Sequence, residues 1–235
     1  MSAAKDKEEP NSNWRPTKIK ISGYVIQFVV LILAAFVTIA LYQLYNAWRE
    51  RKIEREFLSG IQDDLKHSAT QISDSIKVFQ PTLDYYEKFA GQLYNNKIDS
   101  SYVDSLGWNL LKTNYLVFDD SRFEDFKSSG YLRLIDNKEL MKHIVSMYSI
   151  YMPIEKDADI HIFRNREEDF NKYIGTKLDF DQSGAIHLCR LLDDTAVRYQ
   201  VFRYKNIFLE RKRRQEAIIL KIDSLQTEIE KELND

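Results

Sequence analysis

The sequence predicts an all-α protein: one N-terminal transmembrane helix continuing into a long stalk helix, then a helical bundle domain and a long C-terminal helix. Three observations predict it. Residues 21–48, ISGYVIQFVVLILAAFVTIALYQLYNAW, carry no charge between Lys20 and Arg49. Beyond them, apolar residues return at steps of three and four, the period of a helix with one buried face. No alternating β-branched run of any length occurs, and Gly 7 and Pro 4 in 235 residues leave few helix breakers.

Four segments are expected: a disordered polar tail over 1–22, a transmembrane helix over 23–47, a helical domain over 48–214, and an amphipathic C-terminal helix over 215–235. The tail is polar and contains Pro10 and Pro16. A hydrocarbon core of roughly 30 Å takes about 20 apolar helical residues. Val25, Val30, Leu33, Phe36, Leu41 and Leu44 supply that core, and Tyr45 and Trp48 sit where an interfacial aromatic anchor belongs. The apolar run exceeds the roughly 7–15 residues of a signal-peptide core, and no small-x-small cleavage site follows, so an uncleaved signal anchor is expected. Gln27 and Thr38 are its strongly polar groups and lie near one face, open to interhelical hydrogen bonding. Lys5, Lys7, Arg15, Lys18 and Lys20 precede the span, and Arg49, Arg51, Lys52 and Arg55 follow it, so the positive-inside counts nearly tie. The free amine and short tail favour a bacterial inner-membrane protein with its C-terminal domain in the periplasm; the cytoplasmic orientation stays open.

Composition narrows the classes. Aromatics at 13% and charged residues at 30% suit a packed helical domain and argue against disorder. The formal net charge of −2 gives no global basic field for nucleic acid. The single cysteine, Cys189, excludes an internal disulfide framework and a cysteine-based zinc site, and in an apolar helical pattern it reads as a buried inert thiol.

Phe57, Ile61, Leu65, Ile72, Ile76 and Phe79 extend the span into an amphipathic stalk. Pro81 is expected to break or kink it, with Leu83, Tyr86, Phe89 and Leu93 forming a second helix. Ser101 with Asp104, and Ser121 with Glu124, have capping-box spacing. Phe123 and Phe126 share a face of the short helix after Ser121, and Gly130 should end it in a left-handed cap. Tyr131 to Ile135 reads as an apolar connector, and Asp136 with Glu139 as the next helix start. Leu140, Ile144, Tyr148 and Tyr151 then face inward until Pro153. Asp159 to Ile174 is a further helix, with Ile160, Phe163, Phe170 and Ile174 inward, and 177–184 is a loop. Leu188, Leu192, Thr195, Tyr199, Phe202 and Leu209 form a heptad-like seam on the last helix.

Two stretches resemble a known family. Trp48-Arg-Glu-Arg-Lys52, Glu56-Phe-Leu58, Ile61 and Asp64-Leu65 are similar to the start of an uncharacterised family of single-span, membrane-anchored helical proteins of Gram-negative bacteria. Ser129-Gly130, Leu132, Leu134-Ile135, Leu140, Ile144 and Tyr148 resemble its middle motif. Arg49 stands where the family usually has Asn, and the leading tail is longer. The resemblance implies an architecture and a location, and no activity.

No motif carries chemistry. His67, His143, His161 and His187 are scattered, and Asp63–His67 and Glu139–His143 are not di-iron pairs. Asp157 and Asp159 read as helix-capping groups, and the Asp119-Asp120 and Asp193-Asp194 pairs as turn or solvent-face residues. A Gly-x-Ser-x-Gly elbow and a Gly-rich phosphate loop are both missing from the sequence. No cofactor, no metal and no enzymatic role is expected. Arg211, Lys212, Arg213 and Arg214 would lie at lipid-headgroup level if the stalk from Trp48 to Phe79 packed antiparallel on the helix from Ser183 to Arg211. Ile218, Ile222, Leu225 and Ile229 form a stripe suited to self-association or to docking a membrane-protein partner. The function expected is a membrane-anchored helical scaffold or interaction protein. The alternative is an extracytoplasmic ligand-sensing domain, and the remote one an enzyme with no recognisable motif.

Overall fold

The computed structural model describes residues 21–99, 101–102, 115–177 and 193–234. The tail over 1–20, the Ser101–Asp104 capping box, most of the loop expected over 177–184, and Leu188, Cys189 and Leu192 lie outside the described residues. So do the side chains of Phe170 and Ile174. The chain divides into two units, 1–50 and 51–235. Every described residue with assigned secondary structure is helical or in a turn or bend, so the all-α class holds.

Helix α1 (Ile21–Tyr94) is 74 residues long and enters both units. In the first unit it contains a window of mean hydropathy 2.6, none of it buried. Val25, Val30, Leu33, Phe36, Leu41 and Leu44 are all exposed. This is one helix long and apolar enough to cross a membrane, near the N-terminus. Tyr45 and Trp48 are exposed, with ring centroids 6.3 Å apart. Thr38 Oγ1 donates to the Ala34 carbonyl at 2.8 Å, so its proton serves its own helix rather than a neighbour.

The second unit is built around two seams. On α1, Glu54, Leu58, Ile61, Leu65, Ser68, Ile72, Ser75, Phe79, Thr82, Tyr86, Phe89 and Leu93 alternate steps of four and three, and all are buried. That 3.5-residue repeat is the coiled-coil period. It runs unbroken across Pro81, which lies inside α1 and faces solvent. The expected break is therefore absent. Proline forfeits one backbone bond, and the buried residues on both sides hold the helix together. At the far end Asn96 takes a left-handed φ of 53°, with Lys97 N donating to Gln92 O and Asn96 N to Leu93 O. This is a Schellman cap with Asn in place of Gly.

The extended segment 115–120 follows, with Leu116 and Phe118 buried. Helix α2 (Ser121–Ser128) buries Phe123 and Phe126 as expected. Its start differs. Asp120 occupies the cap position without a side-chain bond, while Ser121 donates its N–H and hydroxyl to Asp119 Oδ1. Gly130 ends the turn at φ 72°. The helix lies close on α1: a Cβ on Gly60 would sit 2.3 Å from Arg122 Nη1, and Arg122 Nε donates to Asp64 at 2.8 Å. Phe57 stacks on Phe126 at 3.5 Å.

After a short 3₁₀ turn (Tyr131–Leu134), helix α3 (Lys138–Ser146) begins. Its cap is Asn137, which accepts from Leu140 N at 3.1 Å. The expected cap, Asp136, instead donates its N–H to Glu54 Oε1 at 2.9 Å. The helical path then continues without the break expected at Pro153. A π turn (Met147–Tyr151), helix α4 (Met152–Asn165), a second π turn (Arg166–Asn171) and helix α5 (Lys172–Gly175) form one run. Pro153 lies directly after the first π turn, where the regular hydrogen-bond ladder has already been interrupted.

Helix α6 (Thr195–Asn234) closes the unit with 40 residues. Asp194 accepts from Ala196 N at 2.9 Å and marks its start. The buried seam is Val197, Val201, Tyr204, Phe208, Arg211, Gln215, Ile218, Ile222, Leu225 and Ile229. The seam expected through Thr195, Tyr199 and Phe202 is out of phase, since Tyr199 is 63% exposed. Residues 215–234 are no separate element, because the helix passes through 211–214 without interruption.

The two seams run antiparallel. Arg55 donates to the Leu233 carbonyl, Gln226 to the Gln62 carbonyl, Phe79 packs on Phe208 and Tyr86 on Tyr204. The α3–α5 run joins as the third member, antiparallel to α6 through Asn137–Glu232, His143–Glu228 and Arg214–Glu155. Replacing exposed Pro81 with Ala should restore a helical N–H and stabilise the full chain by about 1–3 kcal/mol. Gly130→Ala should cost about 1 kcal/mol at its positive φ. Thermal unfolding in detergent reads both.

Candidate functional site: a buried charge layer

The core is not continuous. One apolar cluster gathers Leu58, Ile61, Leu65 and Ile72 of α1 with Ile144, Met147 and Met152, and with Ile218, Ile222, Leu225 and Ile229 of α6. The other gathers Phe79, Tyr86, Phe89 and Leu93 with Val197, Val201, Tyr204 and Phe208. Between them the seam positions are Ser75 on α1 and Arg211 and Gln215 on α6. All three are buried, as are Glu155 and Asp159 of α4.

The layer is held by two ion pairs. Arg211 Nη2 donates to Asp159 Oδ2 at 2.6 Å, with side chains 2% and 0% exposed, and lies 3.4 Å from Ser75 Oγ. Asp159 Oδ2 also accepts the Leu116 N–H at 3.1 Å, which ties the extended segment to the layer. The Arg211 guanidinium sits 4.7 Å from the Phe79 ring centroid, at the floor of the second cluster. Arg214 Nε donates to Glu155 Oε2 at 2.9 Å. Burial raises the Glu155 pKa above its ordinary 4.5, and the Arg214 bond opposes that rise. Burial raises Glu54 as well, opposed by the Asp136 N–H. Arg166 is also fully buried, 5.3 Å from the Phe208 centroid and 5.9 Å from that of Tyr204. Burial pushes the neighbouring Tyr86 hydroxyl up to about 12.

These positions correct the expected site residues. Arg211 is not at a lipid surface, because it faces Ser75 and Asp159 inside the bundle. Arg214 is half-buried against Glu155. Arg213 turns outward beside Glu210, and Lys212, covered about as much as Arg214, reaches toward Glu216. The antiparallel register differs from the one that would bring 211–214 back to the start of the stalk: it is Leu233 that returns to Arg55. Ile218, Ile222, Leu225 and Ile229 are occupied by the chain's own core, so they offer no free stripe for self-association. Ile160 and Phe163 are only partly covered, while Glu155 and Asp159 occupy the inward face of α4.

The inward acids were missed for a local reason. The buried stripe runs Ile144, Tyr148, Met152, Glu155 and Asp159 in steps of four and three, and its last two members are acids, which read in a sequence as solvent-facing or capping residues. The arginine was legible. Running the 218–229 stripe backward in steps of three and four reaches Gln215, Arg211 and Phe208.

The layer has the chemistry of a structural lock, with two acids and two guanidiniums that balance in charge. Among the described residues no group of three or more His, Cys, Asp or Glu is placed to hold a metal ion. One surface groove of about 490 Å³ is floored by Ile53, Phe57, Phe126 and Tyr131. Fold and layer define a helical-bundle protein with one helix long and apolar enough to cross a membrane. Comparisons with family models, with curated proteins and with solved structures give no match for this chain.

Breaking the lock from one side should be costly. Asp159→Ala leaves Arg211 buried without its carboxylate and should destabilise by about 3–5 kcal/mol, whereas Asp159→Leu with Arg211→Met should be near neutral. Denaturant unfolding in detergent distinguishes them. Because the folded pKa of Glu155 is raised, the folded state holds that proton more tightly than the unfolded chain does. Stability should therefore rise as pH falls from neutral toward 4.5, and Glu155→Gln should remove that part of the slope, read as unfolding midpoint against pH.

Proposed function

We propose that this chain is a single-pass membrane protein of the kind it resembles, and that it presents a helical head as a scaffold or interaction module. The observation that carries the reading is the side-chain environment of Gly23–Trp48. Its apolar residues, from Val25 to Leu44, are exposed, with nothing among the described residues to cover them. A helix that is apolar on every side needs an apolar surround, and lipid is the one that fits its length.

The head supports the second half of the reading. Its two seams pack against one another and against the α3–α5 run, so it can hold a surface in fixed geometry. The supporting case for a bacterial inner membrane and a periplasmic head is the resemblance. Fusions of alkaline phosphatase and of a fluorescent protein to the C-terminus test that orientation. An active phosphatase and a dark fluorophore are expected.

Anchoring has its own test. The full chain should stay with bacterial membranes after an alkaline carbonate wash. Leu33→Arg with Phe36→Arg should shift it to the soluble fraction, since each cation at the centre of a span costs about 2.5–3.5 kcal/mol. Release of the unaltered chain by carbonate would defeat the reading.

A further inference from the structure

Polar side chains from two helices converge in a crevice that the charge layer does not use. It lies between α6 and α3 with its following π turn, and holds about 250 Å³. Lys221, Ser224, His143 and Ser146 line it, with Tyr151 and Leu225 as the apolar wall. The Lys221 ammonium lies 4.3 Å from the Tyr151 ring centroid, and among the described residues it has no carboxylate partner. Neither serine hydroxyl has a hydrogen-bond partner among the described residues. The one acid lining the crevice, Glu228, is turned onto His143, its Oε2 2.7 Å from Nδ1.

We propose that this crevice binds the phosphate group of a small ligand. The donor set selects the class. One ammonium and two hydroxyls approach from both helices, and a cation placed there would face Lys221 directly. With the Glu228 carboxylate accepting at Nδ1, the Nε2 atom of His143 is left for the ligand. It accepts from a P–OH or, when protonated, donates to a phosphate oxygen. A tetrahedral phosphate offers three oxygens to donors arriving from two sides, whereas a planar carboxylate offers two. The volume is below the roughly 300–1,000 Å³ of drug-sized ligand sites, so the ligand is a small one. The π turn Met147–Tyr151 begins at the crevice floor and places Tyr151 against Lys221. Turns of this kind are concentrated at functional positions in helices.

The phosphate belongs either to a soluble metabolite or to a lipid headgroup. Calorimetric titration of the full chain in detergent micelles with inorganic phosphate should saturate at one site with Kd of about 1 mM. Lys221→Met keeps the side-chain stem on Tyr151 and should weaken binding by about tenfold or more, with Ser224→Ala giving a smaller loss in the same direction. Both variants should melt at the temperature of the unaltered chain, since both positions are outside the core. Repeating the titration in phosphatidylcholine nanodiscs with and without phosphatidic acid separates the sources: competition by the lipid assigns a headgroup, and undiminished binding a soluble phosphate. No saturation with phosphate, an affinity unchanged in Lys221→Met, or equal binding of acetate would each overturn the assignment.

Discussion

The bundle depends on two 3.5-residue seams meeting in one register, and the Asp159–Arg211 pair is what selects that register. An apolar seam alone is permissive. Leu, Ile and Phe positions on α1 and α6 would pack nearly as well after a slide of one heptad, because each knob would find a similar hole. The charges remove that freedom. Asp159 and Glu155 are four residues apart on α4, and Arg211 and Arg214 three apart on α6. A slide of one turn in either direction would bring one carboxylate to an apolar position, either near Phe208 or near Ile218. The small hydroxyl of Ser75 leaves room at the layer for the guanidinium of Arg211. In a low-dielectric interior such pairs add little net stability, because the cost of desolvating the charges offsets their attraction.

How much of this was legible follows from the same seams. The all-α class, the apolar helix and the face shared by Phe123 and Phe126 were readable because period and hydropathy dominate there. Gly130 was readable because only a residue without Cβ takes φ 72° cheaply. The two expected breaks at Pro81 and Pro153 failed for different reasons. Pro81 sits on the solvent side of a helix whose buried seam carries on past it, and Pro153 follows directly on a π turn that has already interrupted the regular ladder. The charge layer was hidden twice. Arg211 belongs to a basic run that reads as a solvated face, although its heptad position marks it as core. Asp159 continues the stripe of Tyr148, Met152 and Glu155, but a carboxylate there reads as a helix-capping group.

The two units solve opposite problems. The head buries its seams against its own helices, so the terminal stripe of α6, the most obvious docking face in the sequence, is already spent. Among the described residues nothing covers the apolar helix of the first unit. On the reading proposed above, recognition by the head uses its outer polar features rather than the heptad positions. Arg213 and Arg211 illustrate the division: within one basic run, Arg213 pairs with Glu210 on the surface while Arg211 goes inward to Asp159.

The π turn at Met147–Tyr151 links the interior to that outer surface. Tyr148 in that turn, then Met152, Glu155 and Asp159, keep to the buried face in steps of four and three, so the two acids meet Arg214 and Arg211. Ile150 and Ile154 stay on the outer side, 49% and 58% exposed. The same turn holds Tyr151 under the Lys221 ammonium. One short segment therefore borders both the buried acids of α4 and the crevice that Lys221 and Tyr151 line.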